Sequence, residues 1–257
     1  MRIQPRPSIA VGVFIGYAAV VTVMSLIGGV DYDEIGDTTE NVRDAIVIPI
    51  AVGAVFLAAM ATYLGWWRPA LFENERAGSR WMLAVPVCML LYGLTGVAGF
   101  DWDSPRTDVL PLLAVGVLLV GFSEEMVTRG LMIVGLRGGL KEPMVWLVSS
   151  LLFGLLHAIN IVFGQAVDAT LQQIVFAFLL GTAFYVTRRV TGTLLVCMVL
   201  HALWDFGTIG NDATDGTNYA GFFLVLTAVL GLVAVWRLLR SPAPAATADA
   251  RPAKAVA

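Results

Sequence analysis

The sequence predicts an all-α, polytopic membrane protein with about eight transmembrane helices, from its composition, the size of its apolar runs and the alternation of charge between them. Of 257 residues, 58% are hydrophobic and 14% charged, with a mean hydropathy of +0.80. An ordinary soluble domain has roughly 45–50% and about 25%. Such an apolar excess cannot be hidden in one water-soluble core, so lipid must solvate part of the chain. The apolar residues form eight runs near the ~20 residues that cross a hydrocarbon core of ~30 Å at 1.5 Å per residue.

The first run, 9 to 30, follows Arg2 and Arg6 in the manner of a signal peptide. It is long, lacks a small-residue cleavage site and is followed by further spans, so it is expected to stay as a helix. The second, 45 to 67, carries Ala54 and Ala58 four apart, a generic close-packing face. The third, 81 to 100, begins at Trp81, which with Trp66 and Trp67 marks an interface where amphipathic indoles settle. The fourth, 109 to 136, is apolar to Phe122 before it meets Ser123, Glu124 and Glu125, and Gly135, Gly138 and Gly139 stand where it should end. The fifth covers 144 to 163; the sixth, 171 to 186, and the seventh, 193 to 207, are short; the eighth covers 221 to 239. These spans compose one helical domain, residues 1–240. The low-complexity stretch SPAPAATADARPAKAVA at 241–257 is expected to be a disordered cytoplasmic tail.

Basic residues near span ends are retained in the cytoplasm. Every Lys and Arg except Arg43 and Arg106 falls at the N-terminus, in 68–80, in 129–141, at Arg188 and Arg189, or at the C-terminal end. The opposite connections carry Asp31, Asp33, Glu34, Asp37, Asp101, Asp103, Asp212 and Asp215. A multi-pass protein of the cell membrane with both termini cytoplasmic is therefore expected. The net charge of −3 gives no general attraction for nucleic acid. Cys88 and Cys197, each inside an apolar run, offer neither a disulfide framework nor a Cys-rich zinc site.

An ionisable side chain at bilayer depth costs at least ~2.5–3.5 kcal/mol, which makes each one a functional candidate. They are Glu124, Glu125 and Arg129 in the fourth run, His157 in the fifth, and His201 with Asp205 in the seventh; the chain's two histidines are both among them. Residues four apart share a helical face, so Glu125 should pair with Arg129, leaving Glu124 directed toward Thr128 without a permanent cationic partner. Phe153 stands one turn before His157, Asn160 three residues after it could extend a polar face, and His201 and Asp205 share one stripe. Counted at 1.5 Å per residue, Glu124, His157 and His201 lie ~18, ~20 and ~12 Å from the cytoplasmic ends of their spans. Each motif alone is commonplace, as a surface ion pair, a satisfied core histidine or a structural hydrogen bond. Their conjunction at similar depth predicts a shared polar cavity.

Low dielectric disfavours a carboxylate's charge and so suits it to accept a proton from water. Glu124 with His157 could activate a water while His201 and Asp205 face the developing oxyanion. The favoured reaction is hydrolysis of a peptide bond by a glutamate-activated water, with no Ser, Cys or Thr nucleophile. A proton relay in a coupled membrane carrier would use the same residue types, and a catalytically inactive immunity or scaffold protein is a further alternative.

SEEMVTRG, FGLLH and HALWD resemble the three motifs EExxxR, FxxxH and HxxxN or HxxxD of the CAAX protease and bacteriocin-processing (CPBP, or ABI) intramembrane glutamic endopeptidases, the family of the CAAX prenyl protease Rce1. The motifs occur in the family's order, with a core at 109–207. The resemblance implies Glu124 as general base, His157 as its partner on the catalytic water, and His201 with residue 205 as the oxyanion-stabilising pair; Glu125, Arg129, Phe153 and Asn160 would support them. Asp205 stands where CAAX proteases of eukaryotes and archaea have Asn, and a carboxyl donates only when protonated. Either burial keeps Asp205 neutral or Asp205 orients His201. Two histidines and two glutamates could in principle supply zinc ligands, but HExxH is absent and the resemblance implies an ion-free mechanism, so no cofactor is expected. A cavity open to the cytoplasmic side would suit a lipid-modified or membrane-associated protein or peptide as substrate.

Overall fold

The computed structural model describes residues 1–217 and 219–240. The stretch 241–257, expected as a disordered tail, lies outside the described residues. Among the described residues the chain is helical without a strand, and eight helices are long and apolar enough to cross a membrane. They are α1 (Pro7–Gly28), α2 (Thr39–Leu64), α3 (Arg80–Ala98), α4 (Pro105–Arg137), α5 (Glu142–Phe163), α6 (Val167–Thr191), α7 (Leu194–Ala213) and α8 (Gly221–Arg240). A short helix, Trp67–Leu71, follows α2.

The helices α6 and α7 are longer than their apolar runs, at 25 and 20 residues. Hydropathy marks what lipid tolerates, whereas hydrogen bonding decides where a helix ends. In α6 the helix carries Gln172, Gln173, Arg188 and Arg189, and in α7 it carries Asn211 and Asp212. Gly192, in the left-handed region at φ 78°, ends α6, and the Thr193 hydroxyl accepts the Leu195 N–H at 3.2 Å to start α7. Two residues thus reverse the chain.

The outer faces are apolar: Ile15, Val23, Ile27, Leu118, Val199 and Phe222 are each more than half exposed. Arg129, Arg188, Ser123 and Thr182 are instead fully buried with the core aromatics. Apolar side chains outward and charges inward is the arrangement of a multi-pass membrane protein, in which ionisable groups face the bundle interior.

Helix α7 packs along both α3 and α4 and touches α6; α5 pairs with α6, α6 with α8, and α1 with α2 and the end of α4. Small residues permit these approaches. A Cβ on Gly121 of α4 would lie 2.4 Å from the Met198 carbonyl oxygen of α7, and one on Gly96 of α3 would lie 2.8 Å from Cα of Gly207.

Two helices lose regularity at the interior charged residues, and α2 has a π turn of its own at Arg43–Val47. In α4 a π turn, Met126–Leu131, directly follows Glu124 and Glu125, and in α5 the last stretch, His157–Phe163, tightens into 3₁₀ geometry. Such turns recur at functional sites.

At the basic end, Glu73 accepts from Arg188 Nε at 2.7 Å and from Arg137 at 3.0 Å. Burial pushes its carboxyl up, but the guanidiniums of Arg188, Arg137 and Arg189 outweigh this and hold it below the ordinary carboxylate range. Arg188, assigned from sequence to a basic connection, is fully buried. Its guanidinium donates to the carbonyls of Ala70 at 2.9 Å, Pro69 at 2.8 Å and Arg129 within the π turn.

Candidate active site

The polar residues of α4, α5 and α7 meet inside the bundle. Close contact of α4 and α7 at Gly121, one turn before Glu125, brings His201 to the carboxylates. His201 Nδ1 lies 3.0 Å from Glu125 Oε1, and Arg129 reaches the same oxygen at 3.2 Å. The i,i+4 ion pair expected from sequence is present, and its second oxygen partner is a histidine from another helix.

Phe153 organises the aromatic side. Arg129 stacks over its ring, 3.8 Å from guanidinium carbon to centroid, and both histidines meet it edge-on, His157 at 5.3 Å and His201 at 5.7 Å. Phe184 lies 4.9 Å from the His201 ring and 5.0 Å from the guanidinium. A cation between two ring faces is stabilised by their quadrupoles, which helps to hold Arg129 without water. The absence of a side chain at Gly181, whose Cβ would lie 3.2 Å from both Arg129 and Phe153, leaves room for the stack.

Accessibility divides the charged residues into two groups. Glu125 and Arg129 side chains are 0% exposed, while Glu124 and Asp205 keep 15% and 22%. The latter two, with His157, His201 and Asn160, line a cavity of about 410 Å³. Much of its remaining wall is apolar, from Val120, Phe153, Leu156, Leu180 and Trp204. Apolar walls with a few convergent polar groups are the usual form of a small-molecule or peptide site.

Within the cavity, His201 Nε2 lies 3.5 Å from Asp205 Oδ2 and 3.9 Å from Glu124 Oε2. Both exceed an ordinary N–H···O bond of about 2.9–3.0 Å, so this nitrogen is loosely held and can meet a third oxygen. His157 Nδ1 is 3.0 Å from the Phe153 carbonyl. A carbonyl only accepts, so Nδ1 bears the hydrogen and the neutral ring keeps its lone pair on Nε2. The ring within 4 Å of Glu124 is His201, and His157, which the sequence set with Glu124 around a water, lines the same cavity.

Asn160 lines the same cavity but bonds elsewhere. Its amide donates to Gln173 Oε1 at 2.9 Å, and Gln173 donates to the Tyr32 hydroxyl at 3.2 Å. Sequence reading missed Gln173 and Tyr32, although a glutamine pair in an apolar span is a visible signal. It also missed Tyr17, Tyr92 and Trp204 on the cavity wall, because aromatic residues in apolar runs carry no distinguishing pattern.

The cavity reaches Val30, Tyr32 and Ile35, in the acid-bearing connection between α1 and α2. The 3₁₀ stretch that ends the fifth span stands beside this connection, and Gln173 of α6 donates to Tyr32 within it. Among the described residues no group of three or more His, Cys, Asp or Glu side chains has the geometry to hold a metal ion.

An eight-helix membrane bundle with acids and histidines converging on an internal cavity defines a polytopic membrane protein built around a buried polar site. Residues 106–207, from the start of α4 through the cavity-lining part of α7, match the family described as type II CAAX prenyl endopeptidase Rce1-like. The chain carries an Rce1-like domain, the CPBP resemblance named from the motifs. No curated protein matches the chain.

Proposed function

We propose that this protein is an intramembrane endopeptidase in which Glu124 activates water to hydrolyse a peptide bond of a membrane-associated or lipid-modified protein or peptide. The match of residues 106–207 to an endopeptidase family supports the reaction class. The observation that carries the residue assignment is the division of the two adjacent glutamates: Glu125 is enclosed by Arg129 and His201, whereas Glu124 reaches the cavity with its Oε2 free of any hydrogen bond.

In this reading Glu124 takes a proton from a water in the cavity, and the Nε2 lone pair of His157 accepts the other hydrogen of that water. The nascent hydroxide adds to the carbonyl carbon. His201, protonated on both nitrogens so that Nδ1–H donates to Glu125 while Nε2–H is held only loosely by Asp205, donates through Nε2 to the oxyanion. Asp205 orients His201, which a carboxylate can do without donating. Glu124 then returns its proton to the departing amine, the C–N bond breaks, and an acid and an amine result. No metal enters these steps, so incubation with a chelator is expected to leave cleavage unchanged.

The test is a comparison of protein termini in membranes from cells carrying the wild type or Glu124→Gln, which keeps size and removes the base. New termini that depend on the wild type support the reading and identify the substrate. Identical profiles from equally expressed, folded proteins overturn it in favour of a carrier or scaffold.

A further inference from the structure

Tyr17 of α1 lies outside the segment that matches the family and outside all three motifs. Its side chain lines the cavity with Glu124, yet the residue is only 1% exposed. Its ring is seated by Gly53 of α2, where a Cβ would stand 2.8 Å from the Tyr17 Cε2 atom. Its phenol oxygen and the hydroxyl of Ser123, next to Glu124 in the chain, are both buried and make no hydrogen bond, and Glu124 Oε2 makes none either. A buried phenol normally has a partner, because leaving a buried donor unsatisfied costs about 1–3 kcal/mol.

The other donors near the reacting position are few. His157 Nδ1–H is committed to the Phe153 carbonyl, Arg129 is enclosed behind Phe153, and Glu124 and Asp205 are acceptors while ionised. Of these groups only His201 Nε2 offers an N–H, and an oxyanion is best held by two donors fixed before the reaction.

We propose that Tyr17 is a further catalytic residue, whose phenol O–H donates a hydrogen bond to the substrate carbonyl oxygen as it becomes an oxyanion, opposite His201. This rests on the endopeptidase reading above. The phenol keeps its proton throughout; it strengthens one hydrogen bond as charge develops and exchanges no atom with the substrate.

The experiment uses the full-length protein in detergent and a synthetic peptide spanning the cleavage site that the termini comparison yields. Tyr17→Phe keeps the ring in the Gly53 recess and is expected to lower kcat about 10²-fold, with KM, the pH–rate profile and the unfolding temperature held. Ser123→Ala is expected to keep kcat. Wild-type kcat in Tyr17→Phe overturns the proposal, as does an equal loss in Ser123→Ala, which would identify a structural hydroxyl pair. A displaced pH profile also overturns it, since Tyr17 would then act through Glu124. Should Tyr17→Phe unfold, 3,5-difluorotyrosine at position 17 retains ring and hydroxyl while strengthening the donor; an unaltered kcat in that protein rejects the role. Retained cleavage by Glu124→Gln, or no substrate from the termini comparison, would instead reject the endopeptidase reading itself.

Discussion

His201 and Glu125 are joined at 3.0 Å across the α4–α7 contact, through an oxygen that Arg129 also approaches at 3.2 Å. The link ties a histidine of the cavity wall to an ion pair wholly removed from solvent. It gives the two adjacent glutamates unequal consequences on substitution.

Glu125→Gln leaves the Arg129 charge buried without a counter-ion and is expected to destabilise the protein by about 3–5 kcal/mol. Glu124→Gln should cost far less, because Glu124 holds no such pair. Thermal unfolding of the purified variants in detergent measures the contrast. Equal stabilities would show that Arg129 is compensated by some other group.

Gly121→Ala places a methyl 2.4 Å from the Met198 carbonyl oxygen, which cannot move without the α7 backbone. Overpacking of this kind costs about 1–3 kcal/mol. Because His201 lies one turn beyond Met198, activity should fall further than stability, with the loss in kcat. The paired measurements are unfolding temperature and turnover; wild-type turnover would show that α4 and α7 can separate without disturbing the histidine.

Glu73 titrates in the opposite direction to a carboxyl that is merely buried. Its folded-state affinity for protons is depressed by Arg188, Arg137 and Arg189 against the effect of burial, so its ionised form contributes stability above the unfolded-state value of about 4.3. That contribution is lost as pH falls through the lower folded-state value. Glu73→Gln should therefore be less stable than wild type at pH 7, with the gap closing below about pH 4. Unfolding temperatures at the two pH values decide it, and a gap constant across the range would remove Glu73 as its source.

Much of the fold and the charged cluster was legible in the sequence for one reason: lipid makes every interior charge costly, so few are present and each is informative. Glu125 with Arg129, and His201 with Asp205, declared their pairing through helical spacing. The partnership of His201 with both glutamates did not, because it depends on how closely Gly121 lets two helices approach. The burial of Arg188 was not legible, since hydropathy treats a guanidinium as solvent-seeking, whereas Glu73 and three carbonyls replace its water. Tyr17 stayed hidden because an amphipathic phenol inside an apolar run has no distinctive signature.

The turn Met126–Leu131 sets the phase between two halves of α4. One added residue advances a helix by roughly 100°, so the half bearing Glu124 and Glu125 and the half ending at Arg137 follow different rotational frames. The first frame is locked to α7 by His201, and the second to α5 and the Glu73 connection by Arg137, which bonds Glu142 at 3.0 Å. Removing one residue between them would bring the frames into register with each other and out of register with one of their two anchors. Length in this segment is therefore constrained as tightly as the identity of Arg129: its apolar side chains can be exchanged for others of similar volume, but a single-residue deletion would force the helix to choose between its two ends.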